Sequence, residues 1–448
     1  MRDPRVARRL VLGLVPGVCA STLLRSGPGA RAQGGPAAPV ESVFEAVRAD
    51  PRVAALLDAL RADDARTFDE QKRITAIPAP PYKEAVRAGY VLGRMRELGL
   101  GDAAIDGEGN VVATRKGVRG KPKLVVSAHL DTVFPEGTDV TVREKDGRYL
   151  APGIGDDARG LAVLLSIIGV LGRGDLKTVG DVVFVATVGE EELGNLRGVK
   201  ALFRERGDLD GFISIDGLDI GRIVNQATGS HRYEMVFRGP GGHSFQEFGR
   251  PSAVHAMGRA IAKIAEVRPP ADPKTTFTVG TVRGGTSVNA IAAEARLTLD
   301  MRSNSTEELL RVEGRILGLV REAVAEENRR WDAGTVEVDI KLIGDRPAGR
   351  VPEDSPVVQA ARRAIAAVAP ATRITLAGSS TDSNVPIALG VPAVTLAGGG
   401  EGGNWHSLTE WYKPTDAHRG PQAVLLALLT LVGVDGVSQP TLPVRAPG

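Results

Sequence analysis

Three apolar runs restrict what this chain can fold into: PKLVVSA at 122–128, GDVVFVATVG at 180–189 and GFISID at 211–216. Each has the length of a strand and lacks a polar face, so it needs cover on both sides, as an inner strand of an α/β sheet has. Helical segments fall between them, GLAVLLSIIGVLGR after Gly160 and NLRGVKALFRERG before the third run, and GNVVATR at 109–115 reads as a further strand. Strand and helix in alternation predict an α/β layered sheet. Residues 39–100 read as helices, broken where IPAPP removes backbone donors and fixes φ.

The pattern changes after residue 229. Residues 230–238, 275–283, 292–301 and 334–342 alternate like half-exposed strands, and helices fit 253–266 and 306–328. Two helices on a four-stranded antiparallel sheet predict a smaller α+β insertion of ferredoxin-like type. The α/β character returns from 356, with helix PVVQAARRAIAAV, strands RITLAG and AVTLAG, and helix PQAVLLALLTLV. The expected organisation is a signal peptide at 1–32, a first catalytic segment at 39–228, the insertion at 229–343, a second catalytic segment at 344–437, and a flexible tail at 438–448.

The N-terminus is basic, then apolar, then closes on Ala30-Arg31-Ala32, the order of an export signal. Export to the periplasm or secretion is expected, and Arg8-Arg9 hints at the twin-arginine route. The only cysteine, Cys19, lies in this segment, so the rest of the chain has neither disulfide nor thiolate chemistry. The formal charge is +2, but residues 1–32 hold six arginines and one aspartate; the remainder has 50 basic and 53 acidic residues. A weakly acidic body argues against a nucleic-acid partner. No later segment reads as a membrane span.

Each apolar run ends on residues that bind or transfer charge. His129 and Asp131 follow the first, Glu190, Glu191 and Glu192 the second, and Asp216 the third. Asp156 and Asp157 stand in the glycine-rich APGIGDDARG, and His406 follows a strand and the loop LAGGGEGGNWH. Singly, each acid is explained as a cap or a solvated turn. Together they converge on the carboxyl edge of an open sheet, where ligand sites form. Clustered carboxylates need a compensating cation, and mixed imidazole and carboxylate donors suit Zn²⁺, with Co²⁺ or Mn²⁺ as substitutes. Two ions would need one bridging carboxylate and two further ligands each; the residues suffice.

The pieces IPAPPYKE, SAHLDTVFP, GIGDDARG, VGEEELG, FISIDG, GPGGHSF, NAIAAEARLTLDMRS, SSTDSN and GGNWHSLTEW run in order across about residues 70–415. In that order they resemble the M20 family of zinc peptidases and amidohydrolases, above all its peptidase T-like, tripeptide aminopeptidase branch. The resemblance implies a zinc-exopeptidase-like α/β/α catalytic domain with a mixed sheet, interrupted by a lid that dimerises. It implies two Zn²⁺ per subunit: His129 and Asp216 on one, Glu191 and His406 on the other, Asp156 bridging, and a cis peptide joining Asp156 to Asp157. Glu190 is the implied general base, Asp131 orients His129, and His243 stabilises an oxyanion across a homodimer. Asn289 and Arg302 are the implied substrate-binding residues. Asp382 and Glu410 read as supporting loop residues.

Three departures from that family pattern leave every implied metal ligand in place. Arg159 stands where many relatives have lysine, Ala292 replaces a usual proline, and Gly189 replaces the commoner aspartate. The expected activity is exopeptidase action on di- or tripeptides, aminopeptidase-like. The alternative is an amidohydrolase, deacylase or carboxypeptidase acting on N-acyl amino acids or other small amides. A binding protein on an inactivated scaffold predicts loss of Glu190 or a ligand, and none is missing.

Overall fold

The strand Asp181–Thr187 is buried at every residue, and Lys123–His129 at all but its first. Such strands are stable only inside a covered sheet, and the computed structural model, which describes residues 39–446, supplies one. The expected signal peptide lies outside the described residues. The main sheet has nine strands in the order Ala104–Ile105, Val111–Arg115, Asp181–Thr187, Lys123–His129, Gly211–Ile215, Ala393–Leu396, Arg222–Ala227 and Gly349–Arg350, with Thr375–Ser379 also paired to Arg222–Ala227. The four strands from Asp181–Thr187 to Ala393–Leu396 run parallel, and the flanking pairings are mostly antiparallel. The sheet is therefore mixed, as expected.

One core runs from Val43 on the first helix to Leu442 near the C-terminus. Its centre is the helix Ala158–Arg173, apolar nearly all round, which packs against Lys123–His129 and the helix Asp64–Thr75. The long helical stretch after residue 51 is two helices, Pro51–Ala62 and Asp64–Thr75, divided at Asp63. IPAPP breaks the next one as its prolines require, and helix resumes at Ala85–Glu97.

A second, separate core lies in the insertion and includes Met235, Phe237, Leu297, Leu299, Ile316 and Val320. Its sheet is antiparallel in the order Thr275–Gly284, Glu294–Ser303, Gly229–Arg238 and Glu337–Arg346. The helices Ala253–Ala265 and Thr306–Arg330 pack on it. Ser305 caps the second helix by accepting the Glu308 N–H at 3.4 Å, part of an S-x-x-E capping signal. The chain enters this domain at Gly229 and Ser230 and leaves it beside them, with Arg346 paired to Ser230.

Two findings differ from the sequence reading. A small sheet of Glu401–Gly403, Trp411–Lys413, Arg148–Leu150 and Arg143–Lys145 was not expected. Its strands are three residues each and mostly polar, too short for a periodicity signal. Cross-strand contacts hold it, among them the Arg148 guanidinium over the Trp411 ring at 4.1 Å. The tail expected to be loose from 438 is instead packed through 446. Leu442 is in the core, its N–H donates to the Leu431 carbonyl at 3.0 Å, and Thr441 donates to the Thr430 carbonyl at 2.9 Å. Backbone pairing outweighs a proline-rich, polar composition there.

Candidate metal centre

Parallel register decides what meets at the sheet edge. His129 pairs with Thr187, Ser127 with Ser214, and Leu396 with Ile215. The four strands therefore end level, and the residues just beyond them share one space. Asp216 follows Ile215 directly. His406 arrives from the loop between Glu401–Gly403 and Trp411–Lys413 of the small sheet.

Asp156 precedes the helix Ala158–Arg173, and its loop is held from the far end of the chain. The Glu410 carboxylate accepts N–H bonds from Gly153 at 3.0 Å, Gly155 at 2.8 Å and Asp156 at 3.1 Å. Asp157 caps the helix by accepting from Gly160 at 3.0 Å, and its other oxygen accepts the His129 N–H at 3.0 Å. The peptide between Asp156 and Asp157 is cis. Arg159 is fully buried and donates to the carbonyls of Gly398 at 2.9 Å and Ala417 at 2.7 Å, so it steadies the glycine-rich loop ahead of His406.

His129 is oriented through its own turn. Its Nδ1 lies 3.0 Å from the Asp131 main-chain carbonyl, and the Asp131 carboxylate is farther, at 3.6 Å. A proton on Nδ1 leaves the Nε2 lone pair free for a cation. The Asp131 carboxylate has a second task that the spacing did not suggest. It accepts the N–H groups of Glu190 at 3.0 Å and Glu191 at 2.8 Å, fixing the turn that carries both. Gly189 opens that turn at φ +67°, and a Cβ there would stand 2.6 Å from the Arg197 side chain.

Potential ligand atoms fall into groups within 4.8 Å of one another: His129 with Asp156 and Asp216, Asp156 with Glu191 and His406, and His129 with Glu190 and Glu191. The first two are the donor sets expected for a pair of ions, with Asp156 common to both. Its two oxygens divide between them: Oδ1 is 2.9 Å from His129 Nε2, and Oδ2 is 3.1 Å from His406 Nε2. Glu191 Oε1 is 3.3 Å from the same His406 nitrogen.

Protein atoms alone leave this cluster electrostatically strained. Burial, then the nearby Asp156, pushes Glu191 up to about 8 and Asp216 up to about 7. Hydrogen bonds that His406 donates to the Asp156 and Glu191 carboxylates push it up to about 11. Carboxylates in this position resist ionisation until a cation compensates them. The donor types, their grouping and their charge all fit two divalent ions.

A cavity of about 1100 Å³ opens over the cluster. Asp156, Glu190, Glu191, Asp216 and His406 line it, and Arg302 lines it from the smaller domain. Arg302 donates from Nε to Asp300 at 2.8 Å, and its two terminal nitrogens have no hydrogen-bond partner among the described residues. His243 and Asn289 are not among the cavity-lining residues. His243 is on a two-stranded ribbon of the smaller domain and Asn289 directly precedes its second strand; Ser244 N–H donates to the Asn289 carbonyl at 3.0 Å and His243 is exposed. Asp382 is buried and accepts from Thr187; burial, then Glu190, pushes it up to about 7. Arg346, which no sequence motif marks, meets the Glu190 carboxylate at 3.3 Å from the end of an inserted strand.

A sequence profile of the family described as Peptidase family M20/M25/M40 matches residues 125–430. The chain belongs to peptidase family M20. This M20 protein is 27% identical over 352 residues to the uncharacterized protein YqjE of Bacillus subtilis (strain 168), across 76% of this chain and 91% of that one. Aminopeptidase PepT from Bacillus cereus ATCC 10987 superposes with a TM-score of 0.66 at 24% identity, covering 82% of this chain and 98% of its own. A tripeptidase from Staphylococcus aureus superposes with a TM-score of 0.68 at 24% identity, covering 81% and 97%. At such identities the likeness is one of fold. Membership in M20, with both donor sets assembled, makes the protein a metal-dependent hydrolase of the exopeptidase and amidohydrolase class, acting on small peptides or amides.

Proposed function

We propose that this M20 enzyme is an exopeptidase that releases the N-terminal residue from free di- and tripeptides. The observation that carries the reading is the sharing of Asp156 between two donor sets, with Glu190 on the same cavity wall and the free Arg302 fork on another. His129 and Asp216 would hold one ion, Glu191 and His406 the other, and Asp156 both. Zinc is the proposed metal, since two imidazoles with carboxylates suit it. Bound there, the ions supply Lewis acidity, which acidifies a water and polarises the scissile carbonyl.

The chain's own residues do the rest. Glu190 accepts the proton of the attacking water as its oxygen bonds to the carbonyl carbon. It returns that proton to the amide nitrogen as the carbon–nitrogen bond breaks. Asp131 keeps Glu190 and Glu191 on their separate tasks by holding both N–H groups. Arg302 presents its fork to the free carboxylate of a short peptide, a match of planar groups.

His243 and Asn289 are proposed to serve a partner subunit's site, with His243 as oxyanion donor. Support comes from the exposed apolar side chains beside them, Phe245 at 86%, Phe248 at 78% and Val288 at 103%, a surface that water does not favour. A strictly monomeric, fully active enzyme in sedimentation contradicts that role. Export is proposed on the basic, apolar and small-residue order of residues 1–32.

The test is a panel of free, N-blocked and C-blocked di- and tripeptides with N-acyl amino acids. Cleavage of free tripeptides at the first bond, at least about 100-fold faster than of N-blocked ones, is the expected outcome. Preferred cleavage of N-acyl amino acids contradicts it and selects the deacylase, for which Arg302 would bind the same carboxylate.

A further inference from the structure

Arg346 lies outside every motif that carries the family likeness, in the polar segment IGDRPAG. It is the last residue of the strand Glu337–Arg346, where the chain leaves the smaller domain. It is nevertheless buried, with 4% of its surface exposed. A buried guanidinium is costly unless its donors are used; here four acceptors take the two terminal nitrogens, and Nε has no hydrogen-bond partner among the described residues. Nη1 donates to the Glu190 carboxylate at 3.3 Å and to Ser380 Oγ at 3.1 Å. Nη2 donates to the main-chain carbonyls of Glu190 and Glu192, the latter at 3.2 Å.

Arg346 thus holds Glu190 at both ends, by carboxylate and by carbonyl. Among the described residues it is the only hydrogen-bond donor to that carboxylate. Oε1 is the oxygen it steers, and Oε2 has no hydrogen-bond partner among the described residues. Neighbouring contacts tie two adjacent strands of the smaller domain, Glu337–Arg346 and Gly229–Arg238, to the turn and to the segment that follows it. The Asp345 N–H donates to Asn195 Oδ1 at 2.8 Å, Lys200 donates to the Asp345 carbonyl, and Arg232 donates to the Glu192 carbonyl.

Arg346 differs from Arg302 in the decisive respect. Both terminal nitrogens of Arg346 are engaged by protein, whereas those of Arg302 are free. A fork already spent on the Glu190 turn has little to offer a substrate carboxylate.

We propose that Arg346 is a positioning residue for Glu190, carried on the crossing into the smaller domain, so that one side chain sets both the base and the seat of the lid. The proposal rests on the reading of Glu190 as general base. It is tested with Arg346→Met, Arg346→Lys, Glu190→Gln and the double variant Arg346→Met/Glu190→Gln, all as metal-loaded full chains on the best amide of the panel. Metal content is measured alongside kcat and KM.

Arg346→Met is expected to lower kcat about 10- to 100-fold, with KM within about 3-fold and both ions retained. Arg346→Lys, which keeps the charge but not the fork, falls between it and the unmodified enzyme. In the Glu190→Gln background Arg346→Met costs less than about 2-fold more, because it acts through a group already removed. Unchanged kcat in Arg346→Met, a raised KM with kcat kept, loss of metal, or a full additional loss in the double variant each overturns the proposal. Should Arg346→Met not fold, Arg346→Gln carries the same thresholds. If Glu190→Gln itself keeps its turnover, the base reading falls and the proposal with it. Full kcat in Arg346→Met beside an inactive Glu190→Gln overturns the Arg346 role alone.

Discussion

Glu190→Gln keeps two metal ions per chain and lowers kcat by about 10³-fold, roughly 4 kcal/mol of transition-state stabilisation. Glutamine preserves the shape of the side chain and the turn held by Asp131, but it cannot accept the proton of the attacking water. KM changes little, since the loss is confined to the transition state. The informative control is Glu191→Gln. His129, Glu190 and Glu191 also fall within ligand distance of one another, so proximity alone leaves the two glutamates interchangeable. The second donor set, with Asp156 and His406, includes Glu191 and not Glu190. Glu191→Gln should therefore release an ion and Glu190→Gln should not. Metal analysis of the two purified variants reads this directly, and the reverse pattern assigns the roles the other way round.

Asp156→Ala loses both ions and reduces kcat/KM by at least about 10⁴-fold. His406→Ala, by comparison, weakens one. The difference follows from the two oxygens of Asp156, which face different imidazoles at 2.9 and 3.1 Å. A bridging ligand belongs to both sites, and removing it leaves each with fewer protein donors. In the metal-free protein Asp156 also repels Glu191 and Asp216, but it accepts from His129 and His406. Against the cost of burial, those two hydrogen bonds hold its carboxyl below the usual range. The metal-free Asp156→Ala variant loses both contacts and should melt lower than the metal-free parent.

Much of the fold is legible in the sequence because inner strands leave a strong signal. PKLVVSA, GDVVFVATVG and GFISID have no polar face and can only be covered on both sides. The acids and histidines that follow them are legible for the same reason, since charge directly after an apolar run is anomalous. The small sheet behind His406 was not legible, because three-residue strands of polar composition carry no periodicity. The packed C-terminal segment was missed because it is held by main-chain bonds to Leu431 and by the Thr441 hydroxyl, which composition does not reveal. The double role of Asp131 divides between its carbonyl and its carboxylate, and spacing cannot separate them. Arg346 stands 156 residues from Glu190, beside a proline in a segment that reads as a turn. Nothing local indicates that it crosses between domains.

Hydrolysis of small peptides or amides should depend on two ions that share Asp156. Metal titration into thoroughly stripped full-length protein reads that dependence when amide hydrolysis and bound metal are followed together. The stripped protein should show no measurable turnover, and the rate should stop rising at about two bound ions per chain. Full turnover with less than about one-tenth of an ion per chain contradicts it.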